Sequence, residues 1–184
     1  MAHPVHTVDQ KLAGIAHRSH GVVTRSEALG AGITTAEITR RVRSGALLRV
    51  HRGVYRVGHR APSVEATYLA AVRACGDGAV LSGRAAGHLL GLLRGRPPRP
   101  EVTTLLSRRP EGVRIRRTRG FHAEDVTVWR GVPITSVART LVDLAAVLGP
   151  AELARIGRGV ALPGGHPPPI APKPRYGSAG ALSR

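Results

Sequence analysis

Between Val8 and Ser19 the apolar residues Leu12, Ile15 and Ala16 fall three and four positions apart or side by side, the spacing of one helical face. That pattern predicts a first helix. Thr24-Arg25-Ser26-Glu27 and Thr34-Thr35-Ala36-Glu37 then each set a threonine three residues before a glutamate. In such a box the hydroxyl takes an amide at the helix start while the carboxylate reaches back to the cap. Gly30 and Gly32 stand between the two boxes, where a tight turn needs backbone freedom. Two short helices joined by a turn of about three or four residues follow, the pattern of a helix-turn-helix.

In the second of these helices, at about 100° per residue, Ile38 and Val42 share one side, continued by Thr35. Ala36, Arg40 and Arg43 gather on the other, flanked by Thr39. The apolar side packs the helix down. Arginine offers a bidentate fork to guanine or phosphate and threonine can donate to either, so the outer side has the composition of a recognition helix. By itself the same side serves equally well as a solvated face in an arginine-rich chain. Leu47-Leu48-Arg49-Val50 and Val54-Tyr55-Arg56-Val57 come next, two β-prone runs around His51-Arg52-Gly53. They predict a hairpin with Arg52 at its tip. Helices, turn and hairpin in this order describe a winged helix-turn-helix over residues 1–60.

The pattern changes beyond Pro62. Ser63 to Cys75 reads as a helix capped by Ser63 and ended by Gly76, with Tyr68, Leu69 and Val72 inward. Ala79 to Leu81 reads as a short buried strand, and Ser82 as the cap of a helix running to about Leu93. Glu101 to Leu106 and Val113 to Thr118 read as strands around a Pro-Glu-Gly turn, and Val126 to Arg130 as a third. Thr135 or Ser136 caps a helix to Leu148, and Pro150 opens another. Asp143 is placed to pair with Arg139 at i, i+4. Residues 61–159 are thus a small α+β domain, and the chain as a whole is α+β.

Val113 and Ile115 alternate with Arg114 and Arg116, giving this strand an apolar and a basic face. With Arg117 they form a candidate second nucleic-acid surface, or a solvated one. Residues 160–184 are a different material: positions 161–184 hold six Pro and four Gly. Such a segment cannot bury enough apolar surface to offset its ordering entropy and is expected to be disordered.

Composition narrows the functions. The chain has 184 residues and a formal net charge of +17, and of its 28 basic residues only Lys11 and Lys173 are lysines. A GC-rich genome writes Arg, Ala, Gly and Pro whatever the function, but so large an excess still favours a polyanion partner, because basic surfaces release counterions on meeting phosphate. Residues 1–60 carry ten basic and three acidic side chains, the densest excess in the expected folded regions. Cys75 is the only cysteine, so neither an internal disulfide nor a C-x-x-C zinc pattern can form. No apolar run approaches the roughly 18–20 residues of a membrane span, and the first residues lack the apolar core of a signal peptide. The expectation is a cytoplasmic protein with no membrane partner.

Catalytic chemistry finds little to work with. His17 and His20 have a spacing that could share a metal, yet no neighbouring carboxylate or cysteine completes a ligand set. Cys75 lacks a histidine base in the sequence around it, and there is no glycine-rich phosphate loop with a lysine. No catalytic residue, metal or cofactor is expected. The expected partner is double-stranded DNA. Arg40, Arg43 and Thr39 are assigned to base edges, with Thr35 beside them, and Arg25, Arg41, Arg49 and Arg52 to phosphates.

The order of these segments resembles AbiEi-type antitoxins, the regulatory half of type IV toxin–antitoxin systems. The likeness is carried by residues 21–28 (Gly-Val-Val-Thr-Arg-Ser-Glu-Ala), 45–50 (Gly-Ala-Leu-Leu-Arg-Val) and 52–55 (Arg-Gly-Val-Tyr). Leu81 to Leu92 and Gly131 to Ala145 extend it, so that it spans about residues 8 to 158. The resemblance implies an operator-binding repressor of its own operon. It also implies a functional partner toxin, usually a nucleotidyltransferase, opposed without a stable complex. Many chains of this architecture continue into a Vsr-like endonuclease domain, which the Pro-rich tail replaces here. The alternatives are therefore a non-catalytic DNA-targeting remnant of such a fusion, or an RNA-binding protein using the arginine-rich strands.

Overall fold

The computed structural model of the chain describes residues 7–58 and 61–160, without the side chains of 157–160. The expectation for the Pro-rich tail lies outside the described residues. The first unit holds α1 (Val8–His17), β1 (Val22–Thr24), α2 (Arg25–Gly30), α3 (Thr35–Arg43), β2 (Leu47–His51) and β3 (Val54–Val57). All three of its helices begin at a capping box: Thr7 with Gln10, Thr24 with Glu27 and Thr34 with Glu37. Leu12, Ala28, Ile33, Ile38 and Leu47 form one buried cluster with Val23 and Tyr55.

The wing contains a strand that the periodicity did not announce. β1 pairs antiparallel with β3, giving a sheet in the order β1-β3-β2. Strand residues alternate between faces, and here the alternation sorts two cores. Val23 and Tyr55 face the α1–α3 cluster, while Val22 and Val54 join the cluster built around the next helix. Both faces of the small sheet are therefore covered.

That helix is α4 (Val64–Cys75), capped by Ser63 Oγ, which accepts from Ala66 N at 3.1 Å. Tyr68, Leu69 and Val72 are buried as expected. Then come β4 (Val80–Leu81), α5 (Gly83–Leu89), β5 (Glu101–Thr104), β6 (Arg114–Arg117), β7 (Val126–Trp129), β8 (Val132–Thr135), α6 (Val137–Ala145) and α7 (Pro150–Val160). The sheet order is β6-β5-β4-β8-β7, and α4 packs on its central strands.

Local expectations shift in five places. Ser82 does not cap α5 with its side chain; its Oγ accepts from Thr103 Oγ1 at 2.8 Å inside the core. α5 ends at Leu89 because the chain turns back through Gly91, where the amides of Leu92 and Leu93 both bond to Gly87 O. β5 and β6 run parallel, Glu101 beside Arg114 and Thr104 beside Arg117, so the Pro-Glu-Gly segment belongs to a returning loop. Pro133 interrupts the pattern of β8 and hides it from the periodicity; Pro133 sits opposite Val128, outside the single Leu81–Ile134 pairing on the strand's other side. Ser136, not Thr135, caps α6, and Thr135 bonds instead to the buried Thr140 hydroxyl at 2.7 Å.

Candidate nucleic-acid interface

The turn between α2 and α3 places α3 with Ile38 buried beneath it and Thr35, Ala36, Thr39, Arg40 and Arg43 exposed. Thr35 leaves the apolar side that the helical wheel gave it. Its hydroxyl accepts from Arg25 Nη2 at 2.8 Å, and its carbonyl accepts from Thr39 Oγ1 at 2.9 Å. Arg25 itself opens α2, and its amide donates to Gly53 O at the wing tip at 2.8 Å. One residue thus joins the start of α3 to the turn of the wing.

Gly53 has φ +75°, a region costly to L side chains, which is why the tip carries glycine directly after Arg52. Arg52 and Arg49 are both exposed. Arg49 lies across from Tyr55 in register and so stands on the sheet face that carries α1–α3. Among the described residues, no ion pair engages Arg25, Arg40, Arg43, Arg49 or Arg52. Glu37, the one acid on α3, is tied to the Thr34 amide at 2.8 Å, and that hydrogen bond holds its carboxyl below the ordinary range.

Arg41 is the exception among the expected DNA contacts. It is only 9% exposed, turned onto α1, where its guanidinium meets Asp9 at 2.9 Å. Its position on the helix is inward, so it braces α3 and is withdrawn from the phosphate set. The candidate second surface also comes apart. Arg114 and Arg116 stand on the opposite sheet face from Val113 and Ile115, but acids meet them there: Glu101 lies 3.4 Å from Arg114, and Asp143 4.0 Å from Arg116. Arg117 falls on the other face. Asp143 also takes Arg139 Nε at 3.1 Å, the i, i+4 pair that the spacing expects.

No helix among the described residues is long and apolar enough to cross a membrane, and no group of three His, Cys, Asp or Glu gathers there to hold a metal. His20 directs its Nε2 to Arg130 O at 2.6 Å. Cys75 is buried, and burial pushes its thiol up to about 11.

One structural residue was missed altogether. Arg73 on α4 donates to Val22 O, Glu27 Oε2 and Ser19 Oγ, each at 2.9 Å, binding α4 to the cap of α2. Its partners lie some fifty residues away in sequence, so no local signal could mark it.

No curated protein matches the chain. The crystal structure of the RV2827C protein from Mycobacterium tuberculosis is similar at 21% identity with a TM-score of 0.47, over 83% of this chain and 66% of that one. This chain therefore spans just under two thirds of that protein's length. The family likeness expected over about residues 8 to 158 is matched over a shorter stretch. Residues 10–58, from α1 through the wing, match the family described as transcriptional regulators, AbiEi antitoxin.

Proposed function

We propose that the chain is a sequence-specific DNA-binding repressor of its own toxin–antitoxin operon. The observation that carries this reading is the row of exposed residues on α3, whose Arg40 and Arg43 pair with no acid among the described residues, joined through Arg25 to the wing tip. α3 enters a major groove with Arg40, Arg43 and Thr39 on base edges, and Ala36 permits close approach. Arg25, Arg49 and Arg52 hold phosphates on either side. The second unit is non-catalytic, and the protein works in the cytoplasm. The functional partner is a toxin, a nucleotidyltransferase, opposed without a stable complex.

Binding to the chain's own promoter fragment against random duplex, across a salt series, tests the proposal. Operator reading predicts a preference of about 10³ or more that survives moderate salt. Replacing Arg40 and Arg43 should each cost about 1–3 kcal/mol and relax sequence choice, while Arg52→Ala should weaken all sequences alike and lower the salt slope by about one. Equal binding to both duplexes would reject the repressor. It would leave the second reading, a DNA-binding module without sequence choice, which the exposed Arg94, Arg96, Arg99, Arg108, Arg109 and Arg119 favour. An RNA-binding role would show as preference for RNA over duplex DNA.

A further inference from the structure

The sheet of the wing and α4 do not close completely on each other. Between them lies a cavity of about 130 Å³, walled by Val22, Val50, Ala66 and Ala70 and by three polar residues, His51, Arg56 and Thr67, the last with its hydroxyl already donated to Ser63 O. Its lining is mostly apolar. An apolar cavity of roughly 150 Å³ accepts a benzene ring, so the space suits a single small ring or branched alkyl group.

The polar residues say what else the occupant carries. Arg56 Nε is shielded from solvent and has no hydrogen-bond partner among the described residues. No acid among them pairs with its guanidinium either. A guanidinium without an acid partner is met best by a carboxylate, which can take two of its N–H groups at once. His51 lines the same cavity without adding a rival cation, because burial holds its imidazole below the ordinary value.

The walls also belong to the wing. His51 lies at the irregularity where β2 slips register against β3, next to Arg52 at the tip. An occupant wedged against Val50 and His51 therefore bears on the placement of Arg49 and Arg52.

We propose that this cavity binds a small carboxylate with a ring-sized apolar body, seated against Val22, Ala66 and Ala70 with its carboxylate on Arg56, and that occupancy changes the affinity of the wing for DNA. The second half rests on the DNA reading above; the first does not.

Benzoate is the probe, titrated into the full chain without DNA and followed by calorimetry or by NMR shifts of Val22, Val50 and His51. Saturable one-to-one binding below about 1 mM is expected, at least tenfold tighter than that of benzyl alcohol, which has the ring without the charge. Arg56→Met should erase the difference between the two probes without lowering the melting temperature, since it removes an unmade donor. Ala70→Leu, which fills the cavity, should weaken both. No saturation, or binding indifferent to both variants, overturns the site. In the second arm, saturating benzoate should change affinity for the promoter fragment at least threefold. Unchanged affinity with benzoate bound overturns the coupling. Failure of the chain to prefer its promoter at all strikes the repressor reading, while the benzoate titration still decides the site.

Discussion

Arg41 sits one residue from Arg40 and about 100° around the helix, and that rotation turns its guanidinium onto Asp9 instead of solvent. Asp9 is itself mostly exposed, and Arg41 Nη1 is buried without a partner, so the pair is weaker than its distance suggests. Arg41→Met should therefore cost less than about 1 kcal/mol in denaturant unfolding. It should leave DNA affinity and the salt slope unchanged, in contrast to Arg52. A drop in slope comparable to that of Arg52→Ala would return Arg41 to the phosphate contacts. His51 makes a second residue-scale prediction. Its folded-state pKa lies below the ordinary 6.5 because of burial, with Arg56 the charged neighbour in the same cavity. The unfolded chain therefore binds the proton first. Stability should be full above about pH 6.5 and fall as the pH drops through the folded value, and His51→Gln should flatten that decline in melts taken between pH 7.5 and 5.

At the scale of elements, what could be read in the sequence was what neighbouring residues decide. The boxes at Thr24 and Thr34 announced α2 and α3 because cap and carboxylate lie three residues apart, and both form. Thr34→Ala should cost about 1 kcal/mol and fray the start of α3, measured as lost amide protection at Glu37 and Ile38. Unchanged protection there would mean that tertiary packing alone holds the helix start. The winged-helix reading also rested on such local signals. The misses share a cause in distant partners. Thr35 was assigned to the apolar side because Arg25 is not on its helix, and Ser82 was read as a cap because Thr103 is not local. The parallel β5–β6 pairing depends on how a loop returns, which periodicity does not report. Gly83 is a clear instance of hidden constraint. It has φ +57°, and a Cβ there would run into the Glu101 carboxylate. Gly83→Ala should cost at least about 1–3 kcal/mol from the backbone alone, seen as a lowered melting temperature.

For the whole molecule, the sequence divides at residue 60 in composition, but the packing does not divide there. Val22 and Val54 belong to the cluster that contains α4, and Arg73 reaches across to Ser19, Val22 and Glu27. A fragment of residues 1–60 should thus expose an apolar sheet face and melt well below the full chain, with visible aggregation. The full chain should unfold in one transition by both calorimetry and circular dichroism. Two separated transitions in the full chain would show that the seam contributes little. The sheet roofed on both sides has a practical consequence for anyone wishing to redirect the DNA binding proposed above. A winged helix borrowed from another scaffold would arrive without a surface cut to fit α4, and the chimera would be compromised before it met DNA. On the DNA reading proposed above, target choice would be transplanted at the exposed Ala36, Thr39, Arg40 and Arg43 of α3, with Thr35 kept because it holds Arg25.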